Sequence, residues 1–222
     1  MRLKDRIAVV TGGGGGIGQG ICACLASAGA DIVVCDLNEE TAKATVAAIG
    51  SKGRSGFAVA ADITDETACQ HLVAAATERF GRIDVLVNNA GHFGTSIGQH
   101  FTDQDSEDWE ANFAVNLTGP FYLCKAVAAG MIDRKFGKII NISSIAAQRD
   151  PIFAPAYAAA KNGLLNLTRV VARDLGPHNV NVNAICPGLL WTDFWNRMAP
   201  MMAETNPAFA GLKPRQVFEK MV

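Results

Sequence analysis

Tyr157 and Lys161 stand four residues apart in Tyr-Ala-Ala-Ala-Lys, an alanine-rich run with strong helix propensity, so both side chains share one helical face. At an ordinary pKa near 10, only about 0.1% of a tyrosine is phenolate at pH 7, and moving that pKa near 7 takes roughly 4 kcal/mol. A neighbouring cation supplies much of it. With Lys161 nearby, Tyr157 can act as a general base toward an alcohol, or as a general acid in the reverse direction. Such pairs are also common on solvated helices, so context decides. Ser144 closes the run Asn141-Ile-Ser143-Ser144 upstream of Tyr157 and brings a hydroxyl that can meet the phenol over one substrate.

A second chemistry sits near the N-terminus. Thr11 is followed by five glycines, Ile17 and Gly18, joining an apolar β-rich run to a helical pattern. Backbone without side chains, meeting a helix N-terminus, is an anion site, because N–H groups and the helix dipole both favour negative charge. Two registers fit: Gly13-x-Gly15-x-x-Gly18, and Thr11-Gly12-x-x-x-Gly16-Ile17-Gly18. The next apolar run ends at Asp36, near the separation expected for a carboxylate that accepts from adenosine ribose hydroxyls. A 2′-phosphate there would meet a carboxylate at contact distance, a repulsion of order 1 to 4 kcal/mol, and neither Gly15 nor Leu37 supplies a compensating base. NAD is therefore expected over NADP. A cap for the helix beginning near Glu39 is the competing role for Asp36.

These residues must be positioned by alternating elements. Strands are expected at Ile7 to Thr11, Asp31 to Asp36, Gly56 to Ala61, Val85 to Asn89, Lys138 to Ser143 and Val180 to Ile185, and helices near Ile17 to Ala28, Glu39 to Ile49, Glu66 to Phe80, Trp109 to Arg134 and Ala156 to Leu175. Gly29, Gly50, Gly81 and Gly176 stand where helices should stop. The pattern predicts an α/β fold: a doubly wound parallel sheet of Rossmann type, three layers α/β/α, in a single domain over residues 1–222. The stretches without clear periodicity, His92 to Asp108 and Leu189 to Leu212, follow strands and so belong at the carboxyl edge, where ligands bind.

Composition excludes other classes. The 222 residues carry 20 Lys+Arg against 21 Asp+Glu, a formal net charge of -1, and 49% hydrophobic residues at a mean hydropathy of +0.15. No basic run offers a field for nucleic acid or an anionic membrane, and no apolar stretch reaches the roughly 18 residues of a membrane span. Ile7 to Val10 is too short for a signal-peptide core, so a cytoplasmic protein is expected. The six cysteines, scattered in apolar contexts, read as buried reduced thiols, and no metal is expected.

Taken together, four motifs resemble the short-chain dehydrogenase/reductase family: Thr11-Gly12-x-x-x-Gly16-x-Gly18, Asn88-Asn89-Ala90-Gly91, Ser144 followed by Tyr157-x-x-x-Lys161, and Pro187-Gly188 with Thr192. The resemblance covers Arg6 to about Thr192. It implies that Tyr157 is the acid/base, that Ser144 orients and polarises the reacting oxygen, and that Lys161 lowers the phenol pKa and bonds the nicotinamide ribose. It implies a relay water held at Asn116, and cofactor contacts at Gly12, Gly16, Ile17 and Gly18, at Asp36, at Asp62 and Ile63 around the adenine, and at Asn89, Ala90 and Gly91 by the ribose. Pro187, Gly188, Leu190 and Thr192 would meet the nicotinamide carboxamide. Asn88 reads as structural. The implied reaction is hydride transfer between NAD(H) and a secondary alcohol or ketone, with a 3-oxoacyl-thioester reductase and a non-catalytic dinucleotide-binding regulatory subunit as alternatives.

The resemblance also implies a homo-oligomer, dimer or tetramer, with the Trp109 and Tyr157 helices at a dimer interface. Family members usually continue with another helix and a final parallel strand, so a C-terminal βα unit is expected to be missing and tetramer formation is doubtful. The segment Trp191 to Met202 holds two of three tryptophans and three of six methionines and resembles a substrate-covering loop, within about 189–212. Trp191, Phe194, Trp195 and Phe153 are the expected substrate contacts, suited to an apolar or ring-bearing alcohol. His92 and Phe93 are further candidates, and Gln148, Arg149 and Asn196 are the polar ones.

Overall fold

A computed structural model describes residues 2–51, 53–149 and 154–222. Among them six strands form one wholly parallel sheet: β1 (Ile7–Thr11), β2 (Asp31–Asp36), β3 (Gly56–Ala60), β4 (Val85–Asn88), β5 (Gly137–Ile142) and β6 (Val180–Ile185). Their order is β3-β2-β1-β4-β5-β6. Central strands are buried on both faces, which is why they read as unbroken apolar runs: Ile7 to Thr11 is buried at every position.

Alternate strand residues feed two layers. Val9, Val33, Leu86 and Ile139 pack with α3 (Glu66–Phe80) and α5 (Gly119–Asp133) on one face. On the other, Val10, Val34 and Val87 pack with α1 (Gly16–Ser27) and α2 (Glu39–Gly50). This is the expected doubly wound sheet, and its order reverses between β1 and β4, the crevice where such folds take ligands.

Helices α2 and α3 start at side-chain caps, and α1 does not. Asn38 accepts from the Glu40 and Thr41 N–H groups at the head of α2, and Asp65 caps α3. Helix α1 starts at Gly15 without a side-chain cap or an acidic first turn. Its N–H groups face the crevice instead of a protein acceptor.

The structure departs from the expected elements in three places. The helix expected over Trp109 to Arg134 is divided: α4 (Ser106–Phe113) passes through a π segment, Ala114–Thr118, into α5. An extra residue per turn shifts the phase, so one apolar period cannot describe the whole. The expected 189–212 loop contains α7 (Trp195–Thr205), and α8 (Pro214–Met221) follows it. Strands β3 and β4 also end one residue earlier than expected, and β5 runs from Gly137 to Ile142.

Helix α6 (Pro155–Leu175) carries Tyr157 and Lys161, and a buried polar chain fixes its height. Asn88 Nδ2 donates to Asn141 Oδ1 at 2.8 Å, and Asn141 Nδ2 donates to Thr168 Oγ1 at 2.9 Å. Asn141→Ala leaves the Asn88 amide and the Thr168 hydroxyl without these partners. A loss of about 1–3 kcal/mol is expected in denaturant unfolding, with no change in the m-value.

Candidate active site

The site lies over the carboxyl ends of β1, β4, β5 and β6. Thr11 knots its centre: its hydroxyl accepts from the Asn89 and Ala90 N–H groups at 3.0 and 3.1 Å, while Asn89 Nδ2 donates to the Thr11 and Gly12 carbonyls. The side chain of Asn89 therefore holds the glycine loop itself.

Packing decides between the two glycine registers. Gly12 has φ +60, and a Cβ there would meet Ala90 Cα at 2.8 Å; a Cβ on Gly18 would meet the Gly12 carbonyl at 1.9 Å. Gly15, required only by the alternative register, is extended and has no atom within 4 Å of a notional Cβ. Gly16, at φ +52, and crowded Gly12 and Gly18 fit the spacing Gly12-x-x-x-Gly16-x-Gly18, while Gly13 is crowded as well, with Val34 Cγ1 2.9 Å from a notional Cβ. Asp36, at the end of β2, accepts from the Gly14 N–H at 2.9 Å and the Asn38 N–H at 3.1 Å, so its carboxylate is fixed beside the loop. These bonds show that the carboxylate also braces the turn into α2.

At the other end, Ser143 anchors the β5 terminus to α6 by donating to the Lys161 carbonyl at 2.9 Å. Ser144 follows, with its hydroxyl accepting from the Ala146 N–H and hydrogen-bonded to Tyr157. Lys161 is 3% exposed, and its ammonium donates to the Ile142 carbonyl at 2.8 Å, 5.7 Å from the Tyr157 ring centroid. Burial pushes the Lys161 pKa down to about 8. Burial also raises the Tyr157 pKa above 10, against the opposing Ser144 bond. One N–H of the ammonium is thus given to a carbonyl, and the phenol is hydrogen-bonded to Ser144.

Asn116 lies in the π segment and is fully buried. Its amide donates to the His92 carbonyl at 2.6 Å and accepts from the His92 N–H at 3.2 Å, so it pins the loop after β4. Asp108, not singled out by its sequence context, pins the same loop by accepting from the Thr95 and Ser96 N–H groups at 3.0 Å. Burial raises its pKa, but those bonds and one from His92 hold it below the usual carboxylate range. A short polar residue in a helix's first turn was its one signal.

A cleft of about 960 Å³ joins these parts. Gly12, Gly16, Ile17 and Gly18 line it, as do Asn89, Ala90, Gly91, Ser144, Tyr157, Lys161, Pro187, Gly188, Leu190 and Thr192. It opens into a hollow of about 410 Å³ bounded by Asp36, Asp62 and Ile63, with Gly12, Gly15, Ala90, Gly91, His92 and Arg197 lining both. The wall beside Tyr157 is aromatic: Phe93 stacks on it at 4.3 Å between centroids, and Phe194 lies 5.4 Å beyond Phe93. Trp195 lines the cleft and donates its indole N–H to the Leu190 carbonyl at 2.8 Å.

Trp191 departs from its expected place. It does not line the cleft but packs on Phe218 and under the Arg215 guanidinium of α8. Gln148, Arg149 and Asn196 do not line it either. Phe153 lies outside the described residues.

A family model described as short chain dehydrogenase matches residues 6–203. The chain belongs to the short-chain dehydrogenase family. It is 35% identical to a sorbitol dehydrogenase of Cereibacter sphaeroides, over 98% of this chain and 83% of that protein. It is 38% identical to a 3-oxoacyl-[acyl-carrier-protein] reductase of Synechocystis sp., over 86% of this chain and 76% of that protein. The crystal structure of an NAD+-bound xylitol dehydrogenase superposes with a TM-score of 0.92 at 32% identity, covering 100% of this chain and 85% of that one. Among the described residues no helix is long and apolar enough to cross a membrane, and no group of His, Cys, Asp and Glu is arranged to hold a metal ion.

Two outcomes follow from the packing and the titration. Gly18→Ala is expected to lose several degrees of melting temperature because its Cβ overlaps the Gly12 carbonyl, whereas Gly15→Ala melts like the parent. The folded Lys161 pKa lies below that of the unfolded chain, so the native state binds fewer protons above pH 8 and stability rises with pH there. Buried Cys22, Cys35 and Cys124, pushed up to about 12, and Cys69, pushed up to about 11, oppose this from about pH 8 upward, where unfolded thiols begin to ionise. Between about pH 8 and 9 the lysine and thiol contributions largely offset, so unfolding free energy is expected to stay nearly flat, and Lys161→Met should make it fall as pH rises.

Proposed function

We propose that this chain interconverts a secondary alcohol and a ketone with NAD(H), and that Tyr157 exchanges the proton. The observation that carries this reading is the position of Ser144, Tyr157 and Lys161 at one end of a cleft whose other end is closed by Asp36. The residues present fit a dinucleotide. Helix α1 presents an uncapped N-terminus, and Gly15 and Gly16 leave open space before it.

On this reading the backbone of Gly12, Gly16, Ile17 and Gly18 receives the diphosphate, and Asp36 accepts from the adenosine ribose hydroxyls. Asp62 and Ile63 flank the adenine, while Asn89, Ala90 and Gly91 line the passage between. Pro187, Gly188, Leu190 and Thr192 frame the nicotinamide end, with Tyr157 and Lys161 beside its ribose. When bound, the oxidised dinucleotide supplies the hydride acceptor and a positive charge near the phenol.

The chain's own residues handle the proton. Ser144 donates to the substrate oxygen and holds it against the Tyr157 hydroxyl, which removes the carbinol proton as the C–H bond breaks. The buried Lys161 ammonium stabilises the phenolate, and burial by Phe93 keeps bulk water from it. Asn116 holds the His92 backbone that walls this end of the cleft. The Asp36 carboxylate repels a 2′-phosphate, which favours NAD over NADP and weakens the case for an NADPH-linked thioester reductase. The Phe93, Phe194 and Trp195 wall favours an alcohol with an apolar or ring-bearing substituent over a polyol. Exposed Trp109, Phe121 and Val170, on α4, α5 and α6, support a homodimer through those helices.

Replacing Tyr157 by Phe keeps the ring and removes the proton carrier. Turnover of a panel of apolar secondary alcohols is expected to fall at least about 1,000-fold, with NADH binding within twofold of the parent. Retention of most activity would overturn the assignment. In direct titration NADH is expected to bind at least about tenfold more tightly than NADPH, and equal binding would refute the role given to Asp36.

A further inference from the structure

Arg197 is an exposed residue on α7, remote in sequence from every motif above, yet it lines both the main cleft and the hollow that holds Asp36. Among the described residues its guanidinium has no carboxylate or carbonyl partner, and its backbone N–H donates to the Phe194 carbonyl at the start of α7. Surface arginines on helices commonly find such partners, as Arg215 does with Glu219 at 2.7 Å. Gly12 and Gly15 line the same two spaces as Arg197. Across the cleft stands the uncapped head of α1, where orphan N–H groups converge. The segment Trp191 to Pro200, a lid over the cleft, begins against that loop, since Thr192 Cγ2 lies 3.9 Å from a notional Cβ on Gly16.

A planar cation on one wall and a helix N-terminus on the other complement one ligand group: a diphosphate, whose oxygens can bond to both sides. We propose that Arg197 is a dinucleotide-binding residue that closes over the diphosphate bridge and couples cofactor binding to the seating of α7. This rests on the dinucleotide reading of the cleft. Nothing else on the lid can supply the charge, because Trp191 to Pro200 contains Arg197 as its only cation. The position of α7 is held by Trp195, Met198 and Met202, which pack into a core shared with Phe209 and Val217. Arg197 itself is free of that packing, so it can be changed without removing a core side chain.

The test is calorimetric titration of the full chain and of Arg197→Gln and Arg197→Lys with NADH, NADPH, ADP-ribose and adenosine at two salt concentrations. NADH and ADP-ribose, which share the diphosphate, should each bind about tenfold more weakly to Arg197→Gln, with most of the loss restored by Arg197→Lys. Adenosine should bind all three proteins alike, and the salt dependence for NADH should be shallower in Arg197→Gln. Equal NADH affinity in the parent and Arg197→Gln overturns the proposal. So does a loss confined to NADPH, which would make Arg197 a reader of a 2′-phosphate. Failure of the parent to bind NADH would instead sink the dinucleotide reading from which this one starts.

Discussion

Burying the Lys161 ammonium in the seam between β5 and α6 is the constraint on which the rest of the site depends. An ammonium removed from water is costly unless donors and acceptors are matched to it. Here the Ile142 carbonyl accepts from it, and the Lys161 carbonyl in turn accepts from Ser143. That exchange locks the last residues of β5 to the second turn of α6. Ser144 and Tyr157, one just past each end of the seam, are then brought together without any further device. Lower down, Asn88, Asn141 and Thr168 repeat the same logic with neutral groups.

The dinucleotide side of the cleft is built differently. It has few side chains of its own and depends on close backbone approach, with Gly18 against the Gly12 carbonyl and Thr11 gathering the Asn89 and Ala90 N–H groups. The substrate side is made of large side chains on a loop and a helix with their own small core. Rigid backbone thus meets adjustable side chains along the line from Gly16 to Thr192, and the candidate acid/base stands at that line.

Much of this was legible because the physics is local. Strands buried on both faces must be apolar throughout, so Ile7 to Thr11 and Asp31 to Asp36 announce themselves. Tyr157 and Lys161 share a face by helical periodicity alone. What was illegible depends on phase or on distant neighbours. The π segment at Ala114–Thr118 alters the turn without altering composition. Helix α7 contains Pro200 and its methionines suit a loop as well as a helix, so its period is masked. Trp191 and Trp195 have equal chemistry and both pack on Phe218 of α8, so only the fold tells which one reaches the cleft. The register among five glycines was likewise open until the neighbours of Gly15 and Gly18 were known. The direction of the Tyr157 pKa depends on burial, which no side-chain motif records.

The small core of α7 and α8 shares none of its buried members with the two layers of the sheet. Met198, Met202 and Phe209 share no buried neighbour with the strand ladder, so substitutions there should add to, and not compound, those in the sheet. Selection can therefore explore new pocket shapes through that unit at little risk to folding of the remainder.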